Sequence, residues 1–231
     1  MTTRKLFVAA TRQNDGKTMV SLGLFNAFQT FFKSSAYIKP VGQQYQEIDG
    51  IKVDKDAVLF KTIYNLKDPY QLMSPVAIPR GFTESFIENG STDQLKRSIL
   101  GASQELTKDK EFLLSEGTGH AGVGSVLGVS NASVAKLIEA KVILVALGGI
   151  GRAIDEIMLN KACFDQLGVE ISGVIINKVR QDKYDKVTRS VESGLNKLGV
   201  NVYGIIPFVE QLTKLTVYRL KEALKAEVLT G

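Results

Sequence analysis

Six apolar runs of strand length recur along this chain with helical stretches between them, and that alternation leaves few architectures open. The runs are Leu6 to Ala10, Ala36 to Lys39, Glu111 to Glu116, Val142 to Leu147, Gly173 to Asn177 and Val202 to Ile206. Helical periodicity falls at about residues 17–32, 92–107, 131–139, 152–167 and 183–198, and a last helix is expected from Lys214 to Leu229. Strands that are apolar on both faces belong to parallel sheets covered by helices on either side. The expected fold is therefore α/β, a doubly wound and mostly parallel sheet with helices on both faces. The stretch from Val41 to Asn89 breaks the rhythm with Pro69, Pro75, Pro79 and Gly81. It reads as an irregular excursion carrying short helices, where substrate contacts could be added, within a single domain over residues 1–231.

The first strand leads into Gly16-Lys17-Thr18. Met19, Val20, Leu22, Phe25, Phe28 and Phe32 then recur at spacings close to the helical period, so a helix can begin at the loop and bury one face. Its first turn aims unpaired N–H groups and the positive end of the helix dipole at whatever the loop holds, which favours an anion. The expectation is a phosphate-binding loop, and with it a P-loop nucleotide-binding architecture and a nucleoside triphosphate ligand. Lys17 would reach the terminal phosphates, and the Thr18 hydroxyl would ligate a magnesium ion held by them. The usual pattern wants a glycine separated by four residues from this tripeptide's own, where the chain has Thr11. The plainer alternative is a strand, a glycine turn and a helix whose lysine is solvated.

Composition removes several classes. At 231 residues with 44% hydrophobic and 23% charged, the chain can bury a full core and reads as compact. No apolar run approaches a membrane span, and the first residues lack a secretory pattern, so a cytoplasmic protein with no membrane partner is expected. The net charge of +5 is scattered without a dense basic run, which argues for solubility over nucleic-acid binding. The single cysteine, Cys163, falls in a helical pattern with Ile154, Ile157, Met158 and Phe164, so it is expected to pack as a small apolar residue.

Ligands of such sheets sit at the carboxyl ends of the strands. There this chain places Lys39-Pro40, Glu116-Gly117-Thr118-Gly119, Gly148-Gly149-Ile150-Gly151, Asn177-Lys178 and Pro207. Glu116 could hold a metal or its water, or simply be a capped loop acid.

The series of Phe7 to Thr11 with Gly16-Lys17-Thr18, Tyr37 to Val41, Asp56-Ala57, Ser74-Pro75, Glu116-Gly117, Val174 to Asn177 and Gly204 to Pro207 resembles the dethiobiotin synthetase family over nearly the whole chain. The runs Glu116 to Val126 and Gly148 to Glu156 make the likeness strongest to the dethiobiotin-synthetase-like N-terminal domain of long phosphotransacetylases, and to ATPases related to cobyrinic acid diamide synthases. The resemblance implies ATP and Mg2+ as cofactors, with Thr18, Asp56 and Glu116 gathering the metal. It implies that Lys17 and Lys39 neutralise the transferring phosphoryl group, in keeping with catalysis by positioning and charge stabilisation. It also implies that Asp15, Gly16, Lys17, Thr18, Asn177 and Pro207 hold the nucleotide, with the Asn177 amide reading adenine, and that the protein is a homodimer acting on a small-molecule substrate. Magnesium-dependent turnover should then be lost in Lys17→Ala and in Glu116→Gln, with the fold intact.

Departures from that family bear on function. Thr11 and the polar run Arg12 to Asp15 could narrow the phosphate cradle, and Asp15 brings negative charge to it. Gly42-Gln43-Gln44-Tyr45 follows Lys39-Pro40-Val41 where the synthetases have small residues that hold their diamino acid, so dethiobiotin formation is not assigned. The run Gly117 to Gly122 satisfies a dinucleotide fingerprint, yet the next helical pattern begins only near Asn131. His120 and Arg12 read as solvated. Asp155 fits a helix first turn, and Arg152 has no assigned role. Two classes stay open: a magnesium-dependent ATPase or ligase-type enzyme that activates a small carboxylate, and a non-catalytic module that senses a nucleotide or another ligand.

Overall fold

The computed structural model describes residues 3–213. Its central sheet joins six parallel strands: β1 (Arg4–Ala10), β2 (Ser35–Ile38), β7 (Phe112–Glu116), β8 (Lys141–Leu147), β9 (Ile171–Val179) and β10 (Val202–Pro207). The spatial order is β10-β9-β8-β1-β7-β2. Around the sheet lie α1 (Lys17–Phe28), α5 (Thr92–Thr107), α6 (Asn131–Leu137), α7 (Gly151–Gln166) and α8 (Tyr184–Lys197). All six expected strands and the five expected helices exist, with ends moved by up to a few residues. The expected final helix, Lys214 to Leu229, lies outside the described residues.

Both faces of the sheet are covered, and the strand sequences show how. Along β1, Phe7 and Ala9 face one core while Leu6, Val8 and Ala10 face the other. The same alternation in β8 sends Val142, Leu144 and Ala146 to the first core and Ile143 and Val145 to the second. A strand buried on two sides needs this unbroken apolar run. Strands β1 and β7 are neighbours, but the chain leaves β1 towards β2 and leaves β7 towards β8. The two connections run in opposite directions over opposite faces of the sheet, α1 packing into the second core and α6 into the first, so the loops after β1 and β7 separate at the strand ends, where ligands of such sheets sit.

The excursion carries the expected short helices, α2 (Lys55–Tyr64), α3 (Tyr70–Met73) and α4 (Phe82–Asn89). It also contains two small sheets beyond the helices expected there. Strands β4 (Tyr45–Ile48) and β5 (Ile51–Asp54) form an antiparallel hairpin. Its turn is Asp49-Gly50, both at positive φ, which is the dipeptide that two-residue hairpin turns favour. Strands β3 (Val41–Gly42) and β6 (Val76–Ala77) pair in parallel.

Two side chains lie opposite to expectation. Cys163 is exposed, because the buried stripe of α7 runs through Ala153, Ile157, Asn160 and Phe164 and Cys163 precedes the last of these by one position. Met19 is 51% exposed on α1, whose buried residues are Val20, Ser21 and Phe25. Among the described residues no helix is long and apolar enough to cross a membrane.

Candidate functional site

The chain between β1 and α1 is fastened from several sides. Asp15 is buried, and its carboxylate accepts hydrogen bonds from the Thr11 hydroxyl at 2.7 Å and from the Arg12 amide at 2.9 Å. The carboxylate therefore serves the loop itself, and Thr11 supplies a hydroxyl where a glycine would supply none. Arg12 lies 3.5 Å from Asp15, and its Nε stands 3.0 Å from Glu156 as an ion pair without hydrogen-bond alignment. From β9, Asn177 Nδ2 donates to the Asp15 carbonyl at 2.9 Å, and Lys178 Nζ donates to that of Asn14 at 2.7 Å. From α7, Asn160 Nδ2 donates to the Thr11 carbonyl at 3.2 Å.

Gly16 closes this loop at φ +92, and a Cβ there would stand 2.3 Å from Asn177 Nδ2. Gly16→Ala is expected to cost about 1–3 kcal/mol through left-handed strain alone, with further loss from the displaced amide. Urea denaturation checks this; an unchanged midpoint would refute the strain at this position.

Beyond the loop, four charges meet at the ends of β1, β2 and β7. Glu116 ends β7 fully buried. Its Oε1 accepts from Lys17 Nζ at 2.8 Å, Thr18 Oγ1 at 2.9 Å and Lys39 Nζ at 3.1 Å. Lys39 Nζ also donates to Asp56 Oδ2 at 2.6 Å and to the Gly117 carbonyl at 3.1 Å, which uses all three of its protons. The Tyr37 hydroxyl lies 3.5 Å from Glu116 Oε2. Burial, with the Glu116 charge beside it, pushes that phenol far up, so it stays a donor.

Burial alone would raise Glu116, but the charges of Lys17 and Lys39 outweigh it and hold the carboxyl well below its ordinary 4.5. Burial would likewise lower Lys39, yet Glu116, Asp56 and Asp54 outweigh it and raise the ammonium above its ordinary value. For Lys17 burial dominates; with Lys39 repelling it, Glu116 only partly compensates and the group ends lowered. Burial also raises Asp54, against the pull of Lys39.

Because Glu116 has a lower value folded than unfolded, its stabilisation is present above about pH 4.5 and is lost as pH falls below it. The contribution of this one proton approaches about 1.4 kcal/mol per pH unit. Thermal melts from pH 6 to pH 3 should show a steeper loss in the native chain than in Glu116→Gln; parallel profiles would refute the assignment.

Thr18, Asp56 and Glu116 are brought into one place, linked by Lys39. Their oxygens are hard donors of the kind magnesium takes, with one or two carboxylates completed by water and phosphate. Among the described residues no cluster of three acidic, histidine or cysteine side chains could hold a metal alone, so water and phosphate oxygens would complete the shell.

Two cavities flank the loop. One, of about 370 Å3, is lined by Lys17, Thr18, Lys39, Asp54, Asp56 and Thr118, among others. The other, of about 410 Å3, is walled by apolar groups including Met19, Val20, Ile206, Pro207 and Phe208, with Asn177 as its side-chain amide. Gly16, Met19 and Lys178 border both. Asp15 lines neither, while Asn177 and Pro207 meet in the apolar one.

The glycine-rich stretch after Glu116 is held by two buried asparagines. Asn131 accepts from the Thr118 amide at 3.0 Å and donates to the carbonyls of Thr118 and His120 at 2.8 and 2.7 Å. Asn160, which holds Thr11, also accepts from the Ala121 amide at 2.8 Å. The α-helix opens only at Asn131, as expected for a stretch that is no dinucleotide fold, and His120 is exposed. Asn131, Asn160, Tyr37 and Asp54 were not singled out from sequence, since nothing local marks a buried amide that will meet distant backbone. Asn131→Ala strips these bonds and is expected to cost about 2–4 kcal/mol, as two or more buried backbone groups lose partners. Amide exchange should speed up in Gly117 to Gly128 first; uniform protection would contradict it.

A left-handed glycine turn at a helix start, with the buried Lys39, the largely buried Lys17 and the buried acid Glu116 at the carboxyl ends of parallel strands, defines a P-loop nucleotide-binding protein. The chain matches the family model described as an AAA domain over residues 4–216 and belongs to that family, a group of ATP-binding P-loop ATPases with dethiobiotin-synthetase-like relatives. It is 26% identical to an ATP-dependent dethiobiotin synthetase of Clostridium kluyveri, over 78% of this chain and 76% of that one. It is 25% identical to a phosphate acetyltransferase of Synechocystis, covering 99% of this chain but 33% of the relative, so it spans one third of such enzymes. Among solved structures it resembles a plasmid partition protein of Borrelia burgdorferi bound to AMPPNP, with TM-score 0.59 and 12% identity over 96% of this chain and 95% of that one.

Proposed function

We propose that this protein is a magnesium-dependent ATPase or ligase-type enzyme that activates a small carboxylate by phosphoryl transfer. The observation that carries this reading is the convergence of Lys17, Thr18, Lys39 and Asp56 on one cavity, around the buried Glu116. Magnesium, when bound, would neutralise phosphate charge and orient the terminal phosphoryl group. Thr18, Glu116 and Asp56 would hold it. Lys17, released from Glu116, would donate to phosphate oxygens, and Lys39 would bring its charge to the side from which the acceptor enters. A carboxylate oxygen of the acceptor then bonds to the γ-phosphorus as the bond to the β,γ-bridging oxygen breaks, and ADP leaves. The catalytic roles of Lys17 and Lys39 are electrostatic. In the apolar cavity the adenine would lie against Pro207, near the Asn177 amide.

By the family resemblance we take residues 1–231 as one nucleotide-binding domain that forms a homodimer in the cytoplasm. A monomer in light scattering at micromolar concentration would overturn the dimer. A second reading, a module that senses a nucleotide or other ligand without turnover, is favoured by Thr11 in the loop and by the match to one third of the phosphate acetyltransferases.

Calorimetric titration with ATP, with and without magnesium, tests the proposal. Binding that strengthens with magnesium, followed by slow release of ADP, supports it. Absence of binding at millimolar ATP overturns it and leaves a sensor of another ligand.

A further inference from the structure

The phosphate cavity does not end at Lys39. Gln43 and Gln44 form a wall shared with a broader depression of about 570 Å3, which is otherwise lined by Tyr45, Lys55, Ile78, Pro79 and Arg80. The only charged residues in that lining are the two cations, and neither has an ion pair or side-chain hydrogen bond among the described residues. Acidic groups are kept on the other side of the wall. In the run Asp54-Lys55-Asp56 at the start of α2, both aspartates line the phosphate cavity and Lys55 lines the depression.

The backbone beneath is tightly built. The Ile78 amide donates to the Gly42 carbonyl at 2.8 Å, extending the β3–β6 pair under the depression. The Lys55 amide donates to the Gln44 carbonyl at 2.8 Å, which fixes the shared wall to the helix that carries Lys55. A Cβ on Gly42 would stand 2.5 Å from Asp54 Oδ2, so the wall approaches the acid as closely as a glycine permits. Unpaired cations beside primary amides and a phenol form a surface for an anion with a polar body.

We propose that this depression is a second anion subsite and that the acceptor is a dicarboxylate. One carboxylate would face Lys39 for activation, and the other would lie between Lys55 and Arg80. This inference rests on the phosphoryl-transfer reading above and adds to it the class of acceptor.

The test uses the full chain saturated with AMPPNP and magnesium, titrated calorimetrically with the series from succinate to suberate and with the monomethyl ester of each. At least one dicarboxylate is expected to bind about tenfold or more tightly than its own monoester, the difference one charge-assisted contact makes. Lys55→Met and Arg80→Met, both at exposed positions, should each remove that preference while leaving AMPPNP affinity unchanged. Equal binding of diacids and monoesters, no binding of either, or a preference untouched by both variants would overturn the subsite while leaving the nucleotide reading in place. Failure of AMPPNP itself to bind would overturn both.

Discussion

Replacing Glu116 by alanine is expected to cost the folded protein about 3–5 kcal/mol, the range found when one partner of a buried ion pair is removed. Its one oxygen receives Lys17, Thr18 and Lys39, and among the described residues no other carboxylate touches Lys17. Lys39 would keep Asp56, whose side chain is 27% exposed and less able to offset a buried ammonium. Lys17 would be left without an acid. Chemical denaturation measures the loss, and a second substitution identifies its origin. Removing Lys17 as well, in Glu116→Ala with Lys17→Met, should recover part of the stability, because the stranded charge is gone. A double variant no more stable than Glu116→Ala would mean that cavity formation, and not charge, dominates. The sequence-based expectation that Glu116→Gln leaves the fold intact is thereby narrowed: the amide fills the space but strips charge from two lysine contacts.

The second large effect concerns binding. Lys17→Met alone is expected to weaken ATP about 100-fold, since two charge-assisted contacts to phosphate at about 1.5 kcal/mol each would be lost. Its stability should change little. Burial already works against the Lys17 charge, and Glu116 keeps Lys39 and Thr18 when the side chain becomes apolar. Calorimetric titration alongside a thermal melt separates the two quantities. An unchanged ATP affinity with an intact melt would remove Lys17 from the nucleotide site. A collapsed melt would assign it to structure. The pair of variants therefore divides the cluster: one member holds the fold, and the other awaits a ligand.

Much of this arrangement was legible because period and punctuation carry it. Unbroken apolar runs mark the buried parts of β1, β8 and β9, at residues 6–10, 142–147 and 173–176, and α5 has the ends its periodicity predicts, with Ser91 capping it. Gly16-Lys17-Thr18 announced the loop, and the alternation of elements put Lys39, Glu116, Asn177 and Pro207 at the strand ends. What escaped falls into two kinds. The hairpin at Asp49-Gly50 was legible but passed over among the prolines of the excursion. The contacts of Asn131 and Asn160 were not legible, because each amide joins backbone groups far from it in sequence, and only the packed sheet decides which groups those are. Asp15 shows a third case: its charge suggested repulsion of phosphate, while its burial against Thr11 and Arg12 turns the carboxylate away from the cavity. For Cys163, the error was one position in phase on an otherwise correct helix.

The direct contact between Lys17 and Glu116 makes any arriving polyphosphate a competitor. The ligand must take over an ammonium already satisfied by a carboxylate, and the buried carboxylate is then left with Lys39 and Thr18 unless a further cation arrives. A lone anion offers only the first half of that exchange, whereas a nucleotide accompanied by its metal offers both halves at once. Selection would then rest on simultaneity: the site would stay indifferent to phosphate, sulfate or free magnesium and respond to the metal–nucleotide complex as a unit.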